Sequence, residues 1–166
     1  MEIERKFLLK SMPDTSGALR KEIEQGYLCS EPVVRIRKSN ENYILTYKSK
    51  LGLSQNFAIQ NEEVEMPLTK EAYEHLREKI DGKLVEKTRL VLPLPQGRKA
   101  ELDIFKGRLE GLTFVEVEFE SEEEAREFEL PDWFGEDVSG NIAFSNAYLS
   151  EVENFVQWKE RLKGGE

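Results

Sequence analysis

Seven short stretches of this chain alternate charged or polar residues with apolar ones at a period of two. Successive side chains of a β-strand point to opposite faces, so in each stretch the charged members share one face and the interleaved Val, Ile, Leu or Phe share the other. The first stretch, Glu2-Ile3-Glu4-Arg5-Lys6-Phe7-Leu8-Leu9, puts Glu2, Glu4 and Lys6 on one side and Ile3, Phe7 and Leu9 on the other, with Arg5 interrupting the apolar series. Arg35 and Arg37, Thr46 and Lys48, Glu63 and Glu65, Lys87 and Arg89, Glu101 and Asp103, and Glu116 and Glu118 repeat the pattern. Acidic and basic pairs thus take turns along one series of strands.

Eight carboxylates (Glu2, Glu4, Glu63, Glu65, Glu101, Asp103, Glu116, Glu118) and six cations (Lys6, Arg35, Arg37, Lys48, Lys87, Arg89) are collected in this way. If the apolar partners face a hydrophobic shell, all of these charges must face a common space. A closed or nearly closed antiparallel β-barrel of about eight strands supplies it, giving an α+β fold with a charged tunnel inside and helices packed outside. The alternative is an ordinary sandwich with solvated charged faces, the default for antiparallel sheets.

A space lined by both signs restricts its guest. Paired carboxylates suit hard, oxygen-seeking cations such as Mg²⁺ or Mn²⁺, and the lack of paired Cys and His removes the zinc and copper options. Paired Arg and Lys suit phosphate oxygens. A metal-bound polyphosphate satisfies both sets. The net charge of -9 argues against a nucleic-acid partner, which would call for basic surface. No apolar run approaches the roughly twenty residues of a membrane span, and charge from Glu2 onward leaves no signal-peptide pattern. With a lone Cys29 excluding an internal disulfide, the expectation is one cytoplasmic domain spanning residues 1–166. Cys29 reads as a small packed hydrophobe rather than a nucleophile.

Helices fill the gaps between strands. Thr69–Ile80 opens on a threonine cap, lines up Ala72, Tyr73, Leu76 and Ile80, and ends at Asp81-Gly82, with His75 beside the stripe at the surface. Ser121 caps a second helix to Phe128, residues 147–162 give one or two more, and residues 14–23 suggest another. Turns fall at Ser39–Asn42, Gln96-Gly97 and Glu110-Gly111, and Ser49–Asn61 reads as a long loop. Tyr27 shares strand parity with Gln25, so it either points into the tunnel and shortens it or packs on the wall.

The N-terminal Glu-X-Glu-X-Lys resembles the signature of the CYTH superfamily, the triphosphate tunnel metalloenzymes. Gln25-Gly26-Tyr27-Leu28, Val34–Arg37, Leu45–Lys48, Glu86–Arg89, Glu101–Phe105, Glu116–Glu118 and Asp137-Val138-Ser139-Gly140 follow in the family's order, so the resemblance covers nearly the whole chain. It implies metal-assisted hydrolysis of a small-molecule triphosphate. Glu2, Glu4, Glu116 and Glu118 would hold one or two Mg²⁺ or Mn²⁺ ions, and Glu63, Glu65, Glu101 and Asp103 would add ligands or position water. Lys6, Arg35, Arg37, Lys48, Lys87 and Arg89 would bind the triphosphate, with Lys87 or another inward lysine assisting the leaving phosphate. Short bacterial members that begin like this chain resemble inorganic tripolyphosphatases. Thiamine triphosphatase, a class IV-type adenylyl cyclase and a non-catalytic polyphosphate binder are the alternatives. The chain departs from the family at Gln60 and Asn61, where an arginine is common, and at Lys99 and Ala100, where an aromatic residue is common.

Overall fold

The structure, a computed structural model, describes residues 2–54 and 58–163. Nine strands form one antiparallel sheet: β1 (Glu2–Leu9), β2 (Leu19–Ser30), β3 (Val33–Ser39), β4 (Asn42–Ser54), β5 (Ala58–Pro67), β6 (Asp81–Pro93), β7 (Lys99–Phe105), β8 (Thr113–Phe119) and β9 (Phe134–Asp137). Four helices accompany them among the described residues: α1 (Lys70–Arg77), α2 (Glu122–Glu127), α3 (Asn146–Leu149) and α4 (Phe155–Lys163). The strand order is β5-β4-β3-β2-β6-β7-β8-β1-β9. One edge of β1 pairs with β8, and the other is divided: Glu2–Glu4 pairs with β5, and Phe7 and Leu9 pair with β9.

The period-two pattern separates the two faces as strand geometry demands. Ile3, Phe7, Leu90, Leu92, Ala100, Leu102, Val115, Val117 and Phe119 form an outer apolar cluster with Ala125 of α2 and Phe134 of β9. Arg5, the interruption in the β1 pattern, lies on this side and ties it together: its guanidinium donates to the Ala125 carbonyl at 2.9 Å and to Asp137 at 2.8 Å. A second cluster joins Val85, Phe105 and Phe114 to Phe144, Leu149, Val152 and Trp158. By strand parity those three side chains share the face of Lys87, Asp103 and Glu116. The C-terminal helices α3 and α4 therefore pack on the charged face, beyond the last charges, while α2 lies on the outer one.

Several local expectations are corrected. Residues 14–23 form no helix, because from Leu19 the chain is β2, and its alternating charges and apolar residues mimic an amphipathic helix over so short a window. The Ser49–Asn61 loop is instead mostly the paired extension of β4 and β5; Gln55–Phe57 within it lie outside the described residues. The side chains of Gln60 and Asn61 lie outside them too. Helix α1 begins where expected, with Thr69 Oγ1 accepting from Ala72 N, but stops at Arg77. Asp81-Gly82 opens β6 rather than making a separate turn, and at Gly82, φ +70°, a Cβ would lie 2.6 Å from the Ser150 carbonyl oxygen. The helices do not cover every apolar face, since Tyr47, Val64 and Met66 on β4 and β5 are 44%, 53% and 52% exposed. An eight-residue helix is about 12 Å long, and α1 meets β4 at the Tyr43–Tyr73 ring contact and β2 at Glu24, away from those three side chains.

Candidate active site

The charged face encloses one cavity of about 260 Å³. Strand parity brings to its wall the carboxylates of Glu2, Glu4, Glu63, Glu65, Glu101, Glu116 and Glu118. The cations of Lys6, Arg35, Arg37, Lys48 and Arg89 join them, and so does Tyr27, which is buried and takes the inward of its two expected positions. Lys87 and Asp103 are the two expected site residues absent from the lining.

The acidic wall comes from register. Glu4 stands directly across from Glu118, Lys6 across from Glu116, and Glu101 across from Glu116. One carboxylate oxygen from each of Glu2, Glu4 and Glu118 lies within 4.8 Å of the others. Burial and the charges of Glu116 and Glu2 push the Glu4 carboxyl well above its usual range, against the pull of Lys48 and Lys6. Glu118 stays exposed on one side, yet partial enclosure and the carboxylates of Glu101, Glu2, Glu116 and Glu63 push it up to about 7. Glu116 differs: burial alone would raise it, but Lys6, Arg89 and Lys87 hold it low. Three oxygen ligands crowded together at an electrostatic penalty are a donor set that a hard divalent cation fits, because its charge removes the repulsion.

The sign of these shifts gives a pH dependence. A cation held by Glu4 and Glu118 needs both ionised; both are raised, so protons compete with it, at Glu118 up to about pH 7. Mg²⁺ affinity, measured by calorimetry, is expected to rise by at least roughly tenfold per pH unit below 7, where Glu118 carries its proton. A flat profile from pH 5.5 to 8 would mean that Glu118 holds no cation.

Most cations are tied to these acids. Lys48 Nζ lies 3.1 Å from Glu2 and 3.4 Å from Glu63. Arg89 holds Asp103 with two hydrogen bonds of 2.8 and 3.0 Å and also reaches Glu116 at 3.2 Å and Glu101 at 3.4 Å. Lys6 Nζ donates to the Phe144 carbonyl at 2.7 Å, lies 3.7 Å from Glu116 and sits 4.4 Å over the Phe114 ring. Beneath the wall, the side chains of Lys87 and Asp103 are both 0% exposed and joined at 2.7 Å. Burial pushes the Lys87 ammonium down to about 7 despite Asp103, whose charge is shared with Arg89. Asp103 itself is held below the usual carboxylate range: burial opposes this, and Arg89 and Lys87 outweigh it. Its carboxylate is committed to two cations and takes no place beside the three clustered glutamates.

The sequence reading missed one wall. Gly140, Asn141, Ser145, Asn146 and Ala147 line the cavity, and Asn146 Oδ1 accepts from Lys87 Nζ at 3.1 Å. Their signal was a pair of helix caps, Asn141 accepting from Ala143 N and Ser145 accepting from Tyr148 N, which fix two turns but do not say what those turns face. His75 is exposed on α1, and Cys29 is half-buried on β2, as free thiol.

This combination of a two-sign cavity, a three-carboxylate cluster and an antiparallel sheet defines a class. The CYTH domain sequence profile matches residues 1–140, and the chain belongs to that family. An inorganic triphosphatase of Nitrosomonas europaea is 40% identical over 153 residues, covering 90% of this chain and 96% of the relative. An inorganic triphosphatase of Acetivibrio thermocellus is 33% identical over 162 residues, covering 94% and 98%. A solved structure of an inorganic triphosphatase superposes with a TM-score of 0.67 at 35% identity, over 93% of this chain and 97% of that one.

Proposed function

We propose that this protein hydrolyses inorganic tripolyphosphate to pyrophosphate and phosphate with the help of Mg²⁺ or Mn²⁺, as a single domain in the cytoplasm. The observation that carries the proposal is the meeting of the Glu2–Glu4–Glu118 cluster and the Lys6, Arg35, Arg37, Lys48 and Arg89 cations in one cavity of about 260 Å³. That volume accommodates a linear triphosphate. The β1–β5 pairing supports a tunnel in which eight strands close around the substrate and β9 is an appended strand. The match to two triphosphatases along nearly their whole length supports the same chemistry.

In this reading Glu2, Glu4 and Glu118 hold the cation, which when bound would polarise phosphoryl oxygens and lower the pKa of a water. The arginines and lysines grip the phosphate oxygens and offset the charge that spreads over them in the transition state. A water positioned by the glutamates attacks the terminal phosphorus in line, its proton passing to a carboxylate. The bond from that phosphorus to its bridging oxygen breaks, and pyrophosphate departs. Lys6, with a side chain on the cavity, is better placed than the enclosed Lys87 to meet the departing oxygen.

A phosphate-release panel with Mg²⁺ or Mn²⁺ tests this. Tripolyphosphate is expected to exceed ATP, thiamine triphosphate and pyrophosphate by at least about a hundredfold in kcat/KM, a margin of roughly 3 kcal/mol. ATP turned over as fast as tripolyphosphate, or cyclic AMP among the products, would overturn it.

A further inference from the structure

The cations of the cavity fall into two groups. Lys6, Lys48 and Arg89 each have a carboxylate within 4.0 Å. Arg35 and Arg37, alone among the lining cations of the described residues, meet neutral oxygens instead: an Arg35 terminal nitrogen donates to Thr46 Oγ1 at 3.2 Å, and Arg37 Nε donates to Gln25 Oε1 at 2.7 Å. Both contacts run across neighbouring strands between directly paired residues, Arg35 with Thr46 and Gln25 with Arg37. Gln25 and Thr46 are both 0% exposed and lie behind the residues that line the cavity, so each is held in place. Burial and the charges of Arg35 and Arg89 work against the Arg37 cation and outweigh the support of Tyr27 and the more distant Asp103, which forms no ion pair with it.

We propose that Gln25 is a positioning residue that aims Arg37 at the triphosphate through a neutral acceptor, with Thr46 doing the same for Arg35, so that two guanidinium groups keep no directly paired carboxylate and are left for the substrate. The proposal rests on the triphosphatase reading above. A carboxylate at either place would orient the arginine equally well but neutralise it. An amide or hydroxyl fixes the Nε or one terminal nitrogen and leaves the rest of the fork, with its full charge, for phosphate oxygens. Among the described residues two further buried side-chain atoms beside these contacts, Arg35 Nε and Gln25 Nε2, have no protein partner, and both are donors.

Gln25→Glu separates orientation from charge. Its carboxylate keeps the Arg37 Nε contact and adds a counter-ion, so the melting temperature should hold or rise while KM for tripolyphosphate with Mg²⁺ rises by roughly tenfold or more. Gln25→Leu, which loses the acceptor, should raise KM several-fold in the wild-type background and by less than about twofold in an Arg37→Ala background, because it acts through that arginine. A residue that merely supports the fold would lose stability and activity together and give additive effects in the double variant. A KM unchanged by Gln25→Glu where Arg37→Ala raises it overturns this inference alone. A wild-type protein without tripolyphosphate turnover overturns it together with the proposed function.

Discussion

Glu4→Gln is expected to lower tripolyphosphate turnover by at least about a hundredfold at saturating Mg²⁺ while leaving the melting temperature equal or higher. Glu4 is buried, faces Glu118 across the β1–β8 ladder and has Glu2 and Glu116 as further neighbours of like charge. A neutral amide there relieves repulsion in the metal-free protein, so stability does not suffer. The same amide is a poor ligand for a hard cation and cannot provide the charge that draws it in. Circular dichroism melting together with phosphate release reads both halves of the expectation. Activity within threefold of wild type at excess Mg²⁺ would take Glu4 out of the proposed metal site.

Asp103→Ala should fail in the opposite way. Its carboxylate is fully buried and is the shared partner of Lys87 and Arg89, so truncation leaves two buried cations without their main counter-ion. Removing one member of a buried ionic network costs about 3–5 kcal/mol, which for a domain of this size lowers the melting temperature by roughly 10 °C. The loss should appear in EDTA as fully as in Mg²⁺. A metal-ligating Asp103 would instead leave the metal-free protein unharmed, and a melting point in EDTA within about 2 °C of wild type would restore the reading of it as a ligand.

The contrast between these two acids marks the limit of what periodicity reveals. Glu101 and Asp103 belong to the same pair on β7 and have the same parity, and the sequence offered no reason to treat them differently. They part because Asp103 stands opposite Arg89 on β6 and Phe114 on β8, next to the end of the cavity that the C-terminal segment fills. Lys87 likewise points to the charged face but is covered by Phe105 and Asn146. Nor could so short a window tell strand β2 from a helix at Leu19–Ile23, since five residues of mixed polarity fit either period.

What the sequence determined by itself was the sorting of residues onto two faces. A strand has only two, so alternation in seven segments committed the charges to one side and Ile3, Phe7, Leu102, Val115 and Val117 to the other before any pairing was known. Which charges meet was decided by tertiary structure. Antiparallel register set Glu4 against Glu118 and Gln25 against Arg37. Chain return from residues 138–158 put Phe144, Asn146 and Trp158 on a face that local alternation had marked only as charged. Such contacts span more than a hundred residues in the case of Lys6 and Phe144, and no local period encodes them because their energy comes from burial and pairing that exist only once the strands have assembled.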